Sequence, residues 1–381
     1  MNWLADKGPA MEALLAELVN IDSNSHDPAG VEAVRSRIAA FLAGNGVNTA
    51  DIPGEGGDCL VARIGPRANA GHVLLMGHMD TVFPAGEAAR RPFTVELRDG
   101  VRIGRGPGCS DMKAGLVMNA FLMAAFEAAG GPPLPIAALY TRDEEIGSPR
   151  GRAVIEEAAQ GARAAFNAEP GRKSGNIVKG RRGGAFFRAA VTGRAAHAGL
   201  NPHEGRSAIE EMAHKILAWH ALTSADPDVN VSVGIVSGGE AVNMIAPVCE
   251  AHIDLRFAEP GTGARLEREI GEIAARCLRD GVTGTIERLG GFLPVAETPD
   301  NRALVELYLG AARELGHRTG AEFTRSCADS GFTANLGIPT VCGAGPVGGN
   351  AHSPEEYVVL DSLVPRAQAV ALSILRLAGR A

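Results

Sequence analysis

The chain has 381 residues, 45% of them hydrophobic and 21% charged, with a formal net charge of −7. That length suits two domains and that composition a globular protein. Acids and bases are mixed along the chain with no basic stripe, which argues against nucleic acid, and no apolar run approaches the ~20 residues of a membrane span.

The N-terminus carries Met11, Leu14, Leu15, Leu18 and Val19 at amphipathic-helix spacing, with Asp6 and Glu12 interrupting the apolar run. It reads as a helix rather than a secretory leader, so the expected location is the cytoplasm. HVLLMGHMD (72–80) reads as a strand and GLVMNAFLMAAFEAA (115–129) as a strongly apolar helix ended by GGPP. LPIAALYT (134–141) is a strand, and SPRGRAVIEEAAQ (148–160) a helix with Ser148 as N-cap and Pro149 in its first position. AAFNAEP (164–170) is a further strand. Strands alternating with helices predict an α/β layer with a largely parallel sheet.

The middle of the chain changes character. It reads as a strand at 185–195, a helix at 207–222, strands at 230–239 and 248–257, a helix at 263–279 and a strand at 283–290. This β-α-β-β-α-β order is the ferredoxin-like split unit. The α/β character then resumes with a helix at 301–315, the strand IPTVC (338–342) and a closing helix at 362–378. The expected organisation is an α/β domain built from 1–178 and 291–381, with a smaller α+β domain, 179–290, inserted. The six cysteines, Cys59, Cys109, Cys249, Cys277, Cys327 and Cys342, form no CxxC pair and read as reduced, mostly buried thiols.

Metal-binding and acid/base residue types cluster at the expected strand ends. His78 and Asp80 end one strand, and Asp111 sits in a Gly-rich turn before a helix. Asp143, Glu144 and Glu145 end another strand, Glu169 a fourth segment, and His352 follows IPTVC. In an open α/β sheet, ligands gather outside the carboxyl ends of the strands. Two imidazoles with several carboxylates would suit a pair of divalent ions, zinc first and cobalt or manganese next. Each residue also has a plain structural role open to it: acids favour helix N-termini, Asp111 could be an N-cap, and His78 could be a hydrogen-bonded core histidine. It is their joint pattern that points to metal. HExxH, GxSxG and the Walker loop are absent, and the one GxGxxG, Gly343 to Gly348, does not open a βαβ unit, which argues against a dehydrogenase.

In GHMDTVFP, GRGPGCSDMKAG, TRDEEIGS, NAEPG, GRAAHAG and NAHSPEEY, the chain resembles the co-catalytic zinc metallopeptidase family. That family includes bacterial glutamate carboxypeptidase, acetylornithine deacetylase, succinyl-diaminopimelate desuccinylase and the aminoacylases, and the likeness is greatest to the first. The resemblance implies a mixed-sheet α/β catalytic domain with two zinc ions and an inserted lid domain that forms a homodimer. By position, it implies Asp111 as the bridge, His78 and Glu169 on one ion, and Glu145 and His352 on the other. It implies Glu144 as general base, Asp80 as the orienting partner of His78, and His197 as the group that meets the oxyanion. Asn243 in NMIAP and, more loosely, Arg288 in ERLGG would hold a substrate carboxylate. The expected activity is hydrolysis of an amide bond beside a free carboxylate in a small N-acyl amino acid or short peptide, as a carboxypeptidase or alternatively as an N-acyl amino acid deacylase. A non-catalytic binder that kept the fold is the remote alternative. Asp143 is expected to support its turn, and Cys109 to be a packed thiol.

Overall fold

Three fully buried strands form the middle of the architecture. In the computed structural model, which describes residues 2–54, 57–66, 71–223 and 228–379, Val73–His78, Ile136–Thr141 and Ala164–Asn167 are buried at every position. Burial on both faces is why they read as continuous apolar runs rather than alternating ones. They belong to a six-stranded sheet in the order Asn48–Ile52, Cys59–Ile64, Ile136–Thr141, Val73–His78, Ala164–Asn167, Thr340–Val341. The first two pairings are antiparallel and the other three parallel, so the sheet is mixed.

The chain divides into two compact units, Met1–Arg181 with Val295–Ala381, and Arg182–Pro294. In the first, helices Gly8–Val19, Pro28–Gly44, Ala114–Ala128 and Leu363–Ala378 share one core with the sheet. Ala114–Ala128 is apolar nearly all round because it is buried nearly all round. Its Gly115 is required by close approach, since a Cβ there would lie 2.1 Å from the carbonyl oxygen of Ala168. That contact seats the helix start against the turn that carries Glu169.

Two further sheets of this unit have no counterpart in the sequence reading. One is antiparallel, in the order Gly348–Gly349, Tyr357–Val359, Val101–Arg105, Thr94–Arg98. The other pairs Ile177–Arg181 in parallel with Ala321–Thr324. Thr94–Arg98 does alternate, Val95 and Leu97 against Thr94, Glu96 and Arg98, but the strand is short and neither apolar side chain is buried.

The second unit runs Gly183–Thr192, helix Ala208–His220, Asn230–Gly238, Val248–Phe257, helix Pro260–Ala275 and Thr283–Phe292. Its sheet order is second, third, first and fourth strand, antiparallel throughout, as a ferredoxin-like unit requires. Ala185, Phe187, Ala189 and Val191 alternate toward a core with both helices. Among the described residues, no helix is long and apolar enough to cross a membrane.

Candidate metal centre

The parallel strands deliver their carboxyl ends to one edge, and the titratable groups gather there. His78 is the last residue of its strand and 1% exposed. Its Nδ1 lies 3.0 Å from the main-chain oxygen of Asp80 and 3.3 Å from the Asp80 carboxylate. A carbonyl oxygen can only accept, so Nδ1 carries the proton, and in the neutral ring Nε2 offers its lone pair. Nε2 is 3.2 Å from Asp111 Oδ1, 3.6 Å from Glu169 Oε1 and 3.8 Å from Glu144 Oε2.

Asp111 faces two imidazoles. Its Oδ1 turns to His78, while its Oδ2 is 3.4 Å from His352 Nε2. His352 Nε2 is also 3.0 Å from Glu145 Oε2. The donor atoms form two overlapping groups, His78–Asp111–Glu169 and Asp111–Glu145–His352, each with its atoms within 4.8 Å of one another. Asp111 is the member they share.

Each ligand-type side chain is aimed by its surroundings. The turn of Asp111 is gripped by buried Glu356, which accepts from the N–H groups of Gly108 (3.1 Å), Ser110 (2.8 Å) and Asp111 (2.9 Å). The Asp80 carboxylate accepts from the N–H groups of Glu144 (3.2 Å) and Glu145 (3.1 Å) and from the hydroxyl of Ser25 (2.6 Å). Asp80 therefore holds both the histidine and the acidic turn. His352 itself has a left-handed backbone, φ 63°, in the loop between Gly348–Gly349 and Tyr357–Val359. A non-glycine residue in that region stores strain, which recurs at functional sites.

The expected Ser148 cap is corrected. The helix starts at Gly151, and Ser148 lies outside it with φ 50°. Asp143 does the capping instead, accepting from the N–H groups of Arg150 (2.9 Å) and Gly151 (3.1 Å). The Ser148 hydroxyl donates to Asp329, another buried acid. Cys109 is fully buried, and burial pushes its thiol well above the usual range.

The electrostatics of this set fit divalent cations. Oε1 of Glu145 and Oε1 of Glu169 are buried with no hydrogen-bond partner among the described residues. Burial, then Glu169, holds Glu144 well above the carboxylate range, and burial with Asp111 raises Glu169 and lifts Glu145 to about 7. Burial opposes the charge of Asp111 as well, but its hydrogen bonds with His352 and His78 outweigh that and hold it low. Hydrogen bonds to Asp111 and Glu145 lift His352 to about 10. Orphaned carboxylate oxygens and carboxyls forced toward neutrality are what a bound cation would relieve, and imidazole with carboxylate is a zinc-type donor set. A cavity of about 630 Å³ opens beside the cluster, lined by Asp111, Glu144, Glu145, Glu169, Arg181 and His352 among others.

The other three expected site residues lie in the second unit, at Arg182–Pro294. His197 and Asn243 are neighbours there: the N–H of Ala198 donates to the Asn243 carbonyl at 2.9 Å, and His197 bridges Met244. His197 Nδ1 accepts from the N–H groups of Gly199 (3.1 Å) and Leu200 (3.2 Å), which leaves the ring proton on Nε2. Arg288 is on a different element, strand Thr283–Phe292, paired with Glu267 at 3.3 Å.

Sequence reasoning missed Arg181, Asp329 and Glu356. All three are charged side chains buried beside the cluster. Their only local signals are GRRGG at a strand end, CADSG, and the second acid of SPEEY.

A family model described as Peptidase family M20/M25/M40 matches residues 74–376. Carboxypeptidase G2 of Pseudomonas sp. (strain RS-16) is 27% identical over 367 residues, spanning 95% of this chain and 87% of that protein. An M20 family metallo-carboxypeptidase from Sulfolobus solfataricus aligns with a TM-score of 0.77 at 18% identity, covering 97% of this chain and 99% of that one. A tripeptidase from Staphylococcus aureus subsp. aureus mu50 aligns with a TM-score of 0.72 at 22% identity, covering 98% and 99%. The two structural likenesses speak for the fold. The family match spans most of the chain, and the chain belongs to peptidase family M20/M25/M40, whose members are metal-dependent hydrolases.

Proposed function

We propose that this family member hydrolyses an amide bond next to a free carboxylate, as a glutamate-carboxypeptidase-like enzyme that releases a C-terminal amino acid. The observation that carries the reading is Asp111, whose two oxygens face two different imidazoles and so join two donor groups. The 27% identity to carboxypeptidase G2 along 95% of the chain supports the carboxypeptidase form.

His78, Asp111 and Glu169 hold one divalent cation in this reading, and Asp111, Glu145 and His352 a second. Zinc suits the donors first, with cobalt or manganese as substitutes. When bound, such cations would supply Lewis-acid chemistry, lowering the pKa of water to about 7 and polarising a carbonyl. Asp80 fixes the His78 tautomer, so that Nε2 is the ligand atom. Glu144 lines the cavity with Glu145 and Glu169 but belongs to neither donor group, which leaves its carboxylate free to act on water. It takes the proton from the attacking water and returns it to the leaving amine. His197 donates from Nε2 to the oxyanion that develops on the scissile carbonyl. Asn243 and Arg288 hold the substrate carboxylate, Arg288 by exchanging Glu267 for a planar bidentate contact. The unit Arg182–Pro294 serves as the lid and the homodimer contact.

The test is a hydrolysis screen of aryl-glutamates, short peptides and N-acyl amino acids with zinc-, cobalt- and manganese-loaded protein. Preferred release of C-terminal glutamate supports the proposal. Preferred cleavage of short acyl groups from amino acids moves the enzyme to the deacylases. No turnover with any metal refutes both.

A further inference from the structure

Arg181 takes no part in the reaction just described, yet it is 3% exposed and sits against the cluster. A buried guanidinium is costly unless it is well paired. It is the last residue of strand Ile177–Arg181, and its main chain exchanges hydrogen bonds with Val295 in both directions, at 3.1 and 3.0 Å. The side chain is then fastened on three points outside the donor set. Nε lies 3.1 Å from Cys342 Sγ, and Nη1 donates to Ser326 Oγ and to the Cys327 carbonyl, both at 2.9 Å. Backbone and guanidinium are thus both fixed before the remaining contact is made.

That contact is with one oxygen of Glu169. Nη2 donates to Oε2 at 3.3 Å. The other oxygen, Oε1, has no hydrogen-bond partner among the described residues and is the one 3.6 Å from His78 Nε2. A carboxylate on a free side chain can turn either oxygen, or both, toward a cation. Here a rigid cation-bearing fork takes one and leaves the other.

We infer that Arg181 is a positioning residue for Glu169, which occupies Oε2 and presents Oε1 alone to a metal ion in the His78–Asp111–Glu169 group. The inference rests on the metal-centre reading above. None of the hydrogen bonds of Arg181 among the described residues reaches Asp111, Glu145 or His352, so its hydrogen bonding orients a ligand of only one of the two groups. A residue that only balanced charge or filled space would not discriminate between them. Lysine at this position keeps the charge but cannot span Ser326, Cys327 and Glu169 at once, because its ammonium is a point donor rather than a fork.

The experiment is calorimetric titration of metal-free, full-length protein with Zn2+, repeated with Co2+ and its visible spectrum. The wild type should show two binding steps, assigned with Glu169→Gln and Glu145→Gln. Arg181→Met should weaken the Glu169 step by about 10–100-fold, the usual effect of removing a partner that orients a ligand. The Glu145 step should stay as in the wild type, and the Co2+ spectrum of the weakened site should change. Arg181→Lys should weaken the same step to a smaller degree. Should Arg181→Met lose its far-ultraviolet circular dichroism, the lysine variant alone decides. Two unchanged steps, or two steps weakened alike, in a folded variant overturn the inference while leaving the metal centre standing. A wild type without any binding step overturns the metal-centre reading and the inference with it.

Discussion

Replacing Asp143 separates it from the two acids that follow it in TRDEEIGS. Its carboxylate caps helix Gly151–Ala158 through Arg150 N–H (2.9 Å to Oδ2) and Gly151 N–H (3.1 Å to Oδ1, 3.2 Å to Oδ2). Oδ2 alone can therefore accept from both groups. Asp143→Asn keeps such an oxygen and removes a charge that burial opposes first and Asp80 repels as well, which is why the carboxyl is raised. The weaker hydrogen bonds that a neutral oxygen accepts from Arg150 and Gly151 offset the removed penalty, and the change in stability should stay within about 0.5 kcal/mol. Asp143→Ala removes both bonds and should cost about 1–2 kcal/mol, the scale of a lost N-cap. In a melt that is a fall of about 2–4 °C per kcal/mol, by the scaling for mid-sized domains. Both variants should keep two metals and turnover near that of the wild type, measured on metal-loaded protein by elemental analysis and by steady-state hydrolysis. A loss of metal or a tenfold loss of turnover in Asp143→Asn, with an unchanged melt, refutes the capping role and places Asp143 in the reaction.

The neighbouring residue should behave in the opposite way: Glu144→Gln keeps both metals and loses about 10²–10⁴-fold in kcat, and turnover near that of the wild type would end its role as base. His197→Ala should lower kcat by about 10²–10³-fold with a smaller rise in KM, since a donor to the oxyanion acts in the transition state; a change confined to KM would make His197 a substrate-binding group. Gly115→Ala drives a Cβ to 2.1 Å from the Ala168 carbonyl and should destabilise the fold by about 1–3 kcal/mol in denaturant titration. A denaturation midpoint unchanged by that substitution would mean that the helix start is not packed on the Glu169 turn.

Much of this architecture can be read from the sequence because burial and periodicity agree. Val73–His78 and Ile136–Thr141 run apolar up to their final His78 and Thr141 since both faces are covered, and Val248–Phe257 alternates since one face is. The strand ends are legible because glycines and acids interrupt the apolar runs, and the structure brings His78, Asp111, Glu144, Glu145, Glu169 and His352 to one edge. Local patterns fail where a tertiary partner replaces a neighbour in sequence. Ser-Pro at 148–149 is a sound cap signal, yet Asp143 takes the role from the preceding turn. The alternation of Val95 and Leu97 in Thr94–Arg98 spans only five residues and covers no core, so it hardly stands out from a loop. Arg181 is 12 residues from Glu169 and 161 from Cys342, so its pairing has no local spacing to betray it. Glu356 reaches back to the Asp111 turn across 245 residues.

Everything proposed here depends on one carboxylate serving two cations, and metal stoichiometry of Asp111→Ala against the wild type tests that most directly. Elemental analysis after equilibration with a slight excess of zinc and removal of unbound metal should give two ions per wild-type chain. The variant, checked for native circular dichroism, should lose affinity at both sites together. Loss of a single ion, with the other held as in the wild type, would contradict the shared role of Asp111 and with it the two-cation account.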